Sequence, residues 1–427
     1  MPRSSKCRAT LAQLRATRAA APIRDGYPPV ARLKGRQSDL EALVALIQRD
    51  PLRRIALVGA GGSGKSLLAN VLGHKLRAHY EGGTHWFRSG PWDTQTLAQM
   101  MAVRFRIAPA REKLFQRLRT FLADLGPSFI VLDNHENDGA VCRLLDELTD
   151  VPVTFVLTAR RCLLAGVYVF PVTAPQATTG RAVFPRVHML THLLRHNPLA
   201  LDIADAIVVS GAMDAHFLRD WLVAKGVQRV RVIDHEDDLP EVALLVAWHW
   251  PRLCRADRRT LAVLAHSEGD HLDADSVAAL SGLTKPAGRE ALKRLVGRHL
   301  VQTPLPERYA LHAVVRYAVS KRTKGSRHRM AKYYLDLLER HPHRLDLEQT
   351  HLYAAMDFAH DESRLDWMLR IDRLLERLAD SSQKTVRAVR ERRGGRHGVE
   401  GERKTVASRS GEGEVESGWF GQRLNRM

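Results

Sequence analysis

An α/β domain built on a parallel sheet with helices on both faces, then a helical subdomain, a winged helix and a short helical-repeat-like region, is the fold class this 427-residue sequence predicts. Three observations carry it. Short buried-strand patterns alternate with helical ones between residues 53 and 160, as they do in parallel sheets. A run of glycines stands between the first such strand and the helix after it. Beyond about residue 181 the periodicity turns helical, interrupted by a Pro-rich turn between two strand-like runs.

Residues 1–31 are rich in Arg and Ala and poor in acids, a composition shared by transit peptides and by disordered basic arms; the second reading is taken here. The α/β domain is assigned to 32–180. In "LKGRQSDLEALVALIQRDP", Ser38 and Glu41 have capping-box spacing, and Leu40, Leu43, Val44 and Ile47 form one apolar stripe. "RRIALV" reads as a buried strand that runs into the glycine loop. Behind the loop, Leu67, Leu68, Val71, Leu72 and Leu76 recur at helical spacing. "FIVLD" (Phe129 to Asp133) follows the breaker Gly126-Pro127, and "VTFVLT" (Val153 to Thr158) follows Val151-Pro152. Between them "AVCRLLDELTD" reads as a crossover helix. Residues 181–236 read as a helical subdomain that runs into the acidic stretch "DHEDDLP" (Asp234 to Pro240). Residues 237–324 carry three helical patterns followed by "HLVQTPLPERYALH", a winged-helix order. Helical spacing returns in 325–380, where Met330, Tyr333, Tyr334, Leu337 and Leu338 share a face. Residues 381–427 are Gly, Ser, Arg and Glu with too few apolar side chains to order themselves.

A formal net charge of +19 favours an anionic partner, although part of the excess sits in the two tails. No apolar run approaches the roughly 18 residues of a membrane helix and the N-terminus lacks a secretory apolar core, so a soluble, cytoplasmic protein with no membrane partner is expected. The four cysteines, Cys7, Cys142, Cys162 and Cys254, form no C-x-x-C pair and read as reduced core thiols. No histidine spacing fits a metal site such as H-E-x-x-H.

"GAGGSGKS" (Gly59 to Ser66) matches G-x-x-x-x-G-K-[ST] between a strand and a helix. Glycines let such a loop wrap closely, its N–H groups and the helix N-terminus face an anion, and Lys65 adds a positive charge. This marks a P-loop NTPase domain. Gly59, Gly61, Gly62, Ser63, Gly64, Lys65, Ser66 and Leu67 are the expected phosphate contacts. Ser66 and the strand-ending Asp133 are the expected Mg²⁺ holders. The guanine-reading [NT]-K-x-D pattern is absent, "TKPA" at Thr284 lacking the acid, so ATP or ADP is favoured over GTP.

With these residues the chain resembles the signal-transduction ATPases of the STAND class, in the NB-ARC or AP-ATPase-like branch found in bacterial regulators. The resemblance spans about residues 33–360. "LKGRQSDL" resembles the entry motif, which implies adenine contacts at Gly35 and Arg36. "FIVLDNHE" is similar to the Walker B segment. "VLTARR" resembles the sensor segment, which implies a γ-phosphate contact at Arg160. "HNPLALDIA" resembles the motif whose proline, here Pro198, lies against the nucleotide. "RYALHAVVRYA" resembles the winged-helix segment whose histidine, here His312, reaches the β-phosphate of ADP. "YYLDLLERHPHRLDLEQTHLYAAMDFA" resembles the first turns of a TPR-like sensor, which fades after about Asp380. No Toll-like, protease or caspase-recruitment module is read before residue 33.

The sequence departs from that pattern at three places. Asn134 stands where a second acid often follows Asp133, leaving Glu136 as the candidate general base and implying slow hydrolysis. Ala313 replaces a frequent Asp after the winged-helix Leu-His. The segment between Arg160 and Pro198 is short for a full set of helices. The resemblance implies an ATP/ADP switch between closed and open arrangements, with a protein partner or self-association in the ATP state. Two other readings stand beside it. One makes "KPAGREALKRLVGRHL" a DNA-recognition helix with Arg289, Lys293, Arg294 and Arg298 on its polar face; the other is a nucleotide-locked scaffold that never cycles.

Overall fold

The computed structural model describes residues 27–31, 33, 35–50, 54–107, 113–173, 183–227, 239–375 and 377. Most of the basic N-terminal arm, residues 234–238 of the acidic stretch, Cys7 and the 381–427 tail lie outside them.

The first domain is a five-stranded parallel sheet in the order β2-β3-β4-β1-β5, with β1 at Ile55–Val58, β2 at Thr84–Gly90, β3 at Ser128–His135, β4 at Val153–Ala159 and β5 at Tyr168–Pro171. Strands β1, β3 and β4 are apolar on both faces because helices cover both. Helices α1 (Gln37–Arg49) and α2 (Lys65–Leu76) cover one face, where Leu43, Leu68, Leu72 and Phe129 pack. Helices α3 (Thr94–Arg104), α4 (Leu114–Leu125) and α5 (Asp138–Glu147) cover the other with Met100, Leu118, Leu144 and Phe155. Strand β4 lies between β1 and β3, so the glycine loop after β1 and the Asp133 end of β3 flank the end of β4. The domain has the P-loop NTPase fold.

The expected capping box does not form. Helix α1 starts at Gln37 with Arg36 in the cap position and no side-chain cap, because Arg36 is drawn into the domain rather than left at the helix end. Strands β2 and β5 are additions to the three read from the sequence.

Between β5 and α6 (Pro198–Val209) the described residues 183–197 carry a helical residue at Val183, then turns and a 3₁₀ turn at His188–Leu190. Helix α7 (Ala215–Ala224) completes the helical subdomain, and α8 (Pro240–His249) follows. The winged helix comprises α9 (Arg255–Ala265), β6 (Leu272–Asp273), α10 (Ala274–Ser281), α11 (Lys285–Gly297), β7 (Gln302–Leu305), β8 (Arg308–Ala310) and α12 (Ala313–Ser320). Its small sheet is antiparallel in the order β6-β8-β7. Leu199, Ile203 and Ile207 of α6 share one core with Val242 and Leu245 of α8 and with Val314 and Val315 of α12, so subdomain and wing are one packed body.

Helices α13 (Arg327–Arg340) and α14 (Leu345–Asp361) pair, with a further helical stretch over 365–375. Tyr353 of α14 is buried in the α3 side of the P-loop domain. The same helix is bonded to the wing: Arg308 of β8 donates twice to Glu348, at 2.7 Å each, and Arg344 also donates to Glu348, at 2.6 Å, and to Asp273. Glu348 is fully buried. Removing one member of such a network leaves a low-dielectric charge uncompensated. Glu348→Ala is therefore expected to lower the unfolding free energy by about 3–5 kcal/mol in urea titrations, with a smaller loss in Glu348→Gln.

Candidate functional site at the glycine loop

Gly62 and Gly64 take φ of 75° and 94°, which admits the tight loop and starts α2 at Lys65. Asp133 closes the far side of the site. Its Oδ1 accepts from Ser66 Oγ and from Thr158 Oγ1, both at 2.6 Å, and Thr158 Oγ1 in turn accepts from Asn134 N at 2.9 Å. A serine hydroxyl and a carboxylate at this spacing match the oxygen donors Mg²⁺ takes. Thr158, inside the strand pattern "VTFVLT", fixes Asp133 and was not singled out from the sequence.

Arg36 braces the loop from beneath. Its guanidinium donates to Ser63 O and Thr173 O at 2.6 Å and to Asp39 at 2.9 Å, so its head is committed to protein atoms. Gly35, at φ 65°, turns the chain into it. Lys65 Nζ donates to Gly59 O and Ala60 O at 2.8 and 2.7 Å. Ser63 Oγ is buried without a hydrogen-bond partner. Leu67 is half-buried in the first turn of α2.

Two other modules land on this loop. Asn197 caps α6 by accepting from Leu199 N and Ala200 N, and its Nδ2 donates to Gly61 O at 2.9 Å. Pro198 takes the first helical position beside it. Asn197, seen in the sequence only as a cap, thus reaches the loop, and Leu199 lies against it as well, 3.0 Å from where a Cβ of Gly62 would stand. From the wing, Val314 lies against Gly61: a Cβ there would stand 2.8 Å from Val314 Cγ2, 3.6 Å from Leu239 and 3.9 Å from Arg160 Nη2.

His312 caps α12, its Nδ1 accepting from Val314 N at 3.3 Å. Burial, then the positive charges of Lys65, Arg160 and Arg88, push the imidazole down to about 4. Burial, then Arg160, push Lys65 down to about 8, against the pull of Asp133. The sequence-expected Lys65, Arg160 and His312 therefore share one electrostatic cluster, joined by Arg88 of the unforeseen strand β2. Basic side chains gathered at a buried glycine loop, with the orphaned Ser63 hydroxyl beside them, fit a polyphosphate.

Glu136 is exposed, and its Oε1 accepts from Asn134 Nδ2 at 2.5 Å. Asn134 itself sits at φ 55°. On α11, Arg294 donates to the buried Asp257 at 2.7 and 3.1 Å and Arg298 does so at 3.2 Å, while Arg289 pairs with Asp275 at 3.5 Å. Three of the four basic side chains proposed to read DNA thus serve carboxylates of their own domain. The cysteines Cys142, Cys162 and Cys254 carry no disulfide, yet they are half-buried or exposed rather than core; Cys254 caps α9. Among the described residues no helix is long and apolar enough to cross a membrane.

No family model matches the chain. The regulatory protein AfsR of Streptomyces coelicolor is 24% identical over 358 residues, an overlap of 73% of this chain and 36% of that protein. The chain thus spans little more than a third of the curated relative it matches. Among solved structures, the Aeropyrum pernix ORC1 protein in complex with DNA has 14% identity and a TM-score of 0.34, covering 70% of this chain and 95% of that one. Cdc6p from Pyrobaculum aerophilum has 15% identity and a TM-score of 0.31, covering 71% and 98%. AMPPCP-bound DnaA from Aquifex aeolicus has 11% identity and a TM-score of 0.27, covering 84% and 99%.

Two outcomes follow from the site as built. Gly61 has an ordinary φ, so Gly61→Ala acts only by pushing Val314 away. Hydrogen exchange at the amides of 313–316 is expected to speed up in Gly61→Ala and to recover in the Gly61→Ala/Val314→Ala pair. The folded His312 titrates near about 4 and the unfolded one near about 6.5, so the unfolded chain binds the extra proton between those values. Stability is lost as pH falls through that window, and His249 and His351, also held to about 4 by burial, add the same sign. Urea midpoints from pH 7 to pH 4 should fall less steeply in His312→Gln than in the unaltered chain.

Proposed function

We propose that this chain is an ATP/ADP-binding switch of the STAND, NB-ARC-like kind, in which the phosphates decide whether the wing stays on the P-loop. The observation that carries the reading is Val314 and His312 of the wing seated at Gly61 and Lys65. A nucleotide with Mg²⁺ supplies the anion and the divalent cation that the site's donors and carboxylate match. With a nucleotide bound, Lys65 would exchange two loop carbonyls for phosphate oxygens, the start of α2 would offer N–H groups to the same anion, and Ser66 and Asp133 would hold the metal. His312, neutral at pH 7, donates from Nε2 toward a β-phosphate, since its Nδ1 is occupied as a cap acceptor. Arg160 answers the γ-phosphate and favours release of the wing.

A shift from about 1:99 to 99:1 needs roughly 5.5 kcal/mol of differential preference between the two nucleotides. Several charge-assisted bonds to one phosphate are of that order. Turnover is slow in this reading, because Glu136 is exposed and bonded to Asn134 rather than poised over the loop. The same observation favours, as second reading, a nucleotide-locked scaffold. A regulatory role accords with the name of the relative AfsR, and a protein partner or second copy has exposed Val209, Phe217 and Val223 of the helical subdomain to meet. DNA reading by α11 has less support, given the carboxylates its arginines serve.

Purified protein is expected to carry ADP detectable by mass spectrometry, and Lys65→Ala to lose it, weakening affinity about 100-fold, roughly 2.7 kcal/mol. Wild-type protein that carries no nucleotide and binds none in titration would refute the reading. Slow turnover lost in Glu136→Gln supports cycling; equal, near-zero turnover in both supports the scaffold.

A further inference from the structure

Beyond the P-loop and His312, one wing residue touches the site's charge pattern in a way none of the motifs contains. Asp270 lies between α9 and β6, and its Oδ1 stands 3.4 Å from Arg88 Nε. Arg88 is opposite Asp133 in the register of β2 on β3, and Ser89 beside it donates to Asp133 O at 3.4 Å. Asp270 is therefore a carboxylate that the wing brings to the Mg²⁺-side end of the sheet. Asp133 and Asp270 repel one another there, and burial together with Asp133 raises the Asp270 carboxyl against the pull of Arg88 and Arg316.

Asp270 is held by an unusually complete set of braces. Its own N–H donates to Thr350 Oγ1 at 3.2 Å, Arg316 donates to Ser267 O, and Arg308 and His351 both bond His271 O, at 2.9 and 3.1 Å. Gly269 has no room for a side chain, since a Cβ would lie 2.1 Å from the His351 ring. The loop 267–271 is thus fixed by α12, α14 and β8 together. A carboxylate so placed does two things to an anion at the glycine loop. It takes up the charge of Arg88, and it sets a carboxylate on the Asp133 side of the loop, where a longer phosphate chain would meet no free cation from Arg88.

We propose that Asp270 is the specificity-determining residue by which the wing-docked form prefers a diphosphate over a triphosphate. The proposal rests on the switch reading above and deepens it. The diphosphate, ending at His312 and Lys65, avoids Asp270; an additional phosphate at the Asp133 end meets a fixed carboxylate and an arginine already spent on it. The wing therefore discriminates by repulsion as well as by the His312 contact.

The test is the ratio of dissociation constants for ADP and for β,γ-methylene ATP, both with Mg²⁺, measured by calorimetry on the full chain. Asp270→Asn is expected to tighten the triphosphate analogue about tenfold and to leave ADP within about twofold. Thr350→Val, which loosens the loop without changing its charge, should move the ratio the same way by less. Arg88→Gln should not mimic Asp270→Asn, because it removes a cation and leaves the carboxylate. Hydrogen exchange at 313–316 with each nucleotide reports whether the wing stays docked in the Asp270→Asn analogue complex, as expected. Two binding constants that change by the same factor, or not at all, overturn the assignment while leaving the switch intact. A wild-type chain that binds neither nucleotide overturns the switch reading and this one with it.

Discussion

No side chain can stand at Gly61 or Gly62 while the rest of the molecule keeps its arrangement. A Cβ at Gly61 would lie 2.8 Å from Val314 of the wing, and one at Gly62 would lie 2.7 Å from Asn197 of the helical subdomain. Both figures are below any normal carbon contact. The loop's lack of side chains therefore lets two other modules lie flush on it. Packed interiors transmit small displacements because they have no slack. A few tenths of an ångström of motion in the loop is felt at both α6 and α12.

Charge distribution reinforces that contact in one direction only. Lys65, Arg160, Arg88 and His312 gather at the loop, and the acids within reach, Asp133 and Asp270, are fewer and partly bonded to hydroxyls or to one another's cations. Apolar contact at Val314 favours docking of the wing, while the crowding of Lys65, Arg160 and Arg88 at the loop opposes it. An anion at the loop removes the opposing part. In the switch reading proposed above, the same docked geometry would be conditional on what fills the site.

Much of this was legible in the residues, for identifiable reasons. Strands β1, β3 and β4 are covered on both faces, so their sequences are unbroken apolar runs, and the glycine loop, Asp133 and Arg160 follow from their ends. Strand β2, "THWFRSG", was missed because its polar residues answer tertiary partners: Arg88 meets the wing and Ser89 meets β3. Strand β5 is a four-residue exposed edge ending in Pro171, with no alternation to read. The capping box at Ser38 failed because Arg36 was claimed by Ser63 O and Thr173 O, a contact between residues 137 positions apart that no local rule contains. Asn197 was visible as a cap, but its second bond, to Gly61 O, belongs to the fold. What local pattern reveals is chemistry along one element; what it hides is which element will face it.

The shared core of helical subdomain and wing bears on how such a body could separate from the P-loop domain. Leu199, Ile203, Val242, Leu245 and Val314 interlock, so α6 and α12 leave the loop together or not at all. Helix α14 complicates that separation because it touches both sides, through Tyr353 against α3 and through Glu348 against Arg308. Parting Glu348 from Arg308 would break two charge-assisted bonds in a buried setting, at about 3–5 kcal/mol. On the other side, Tyr353 and the partly buried Met356 are the apolar side chains of α14 that would be uncovered, Tyr353 at about 1.5–3 kcal/mol by area. The charged bonds to Arg308, with that of Asp270 N to Thr350, tie α14 to the wing, so in a separation of wing from P-loop domain the C-terminal helices would travel with the wing.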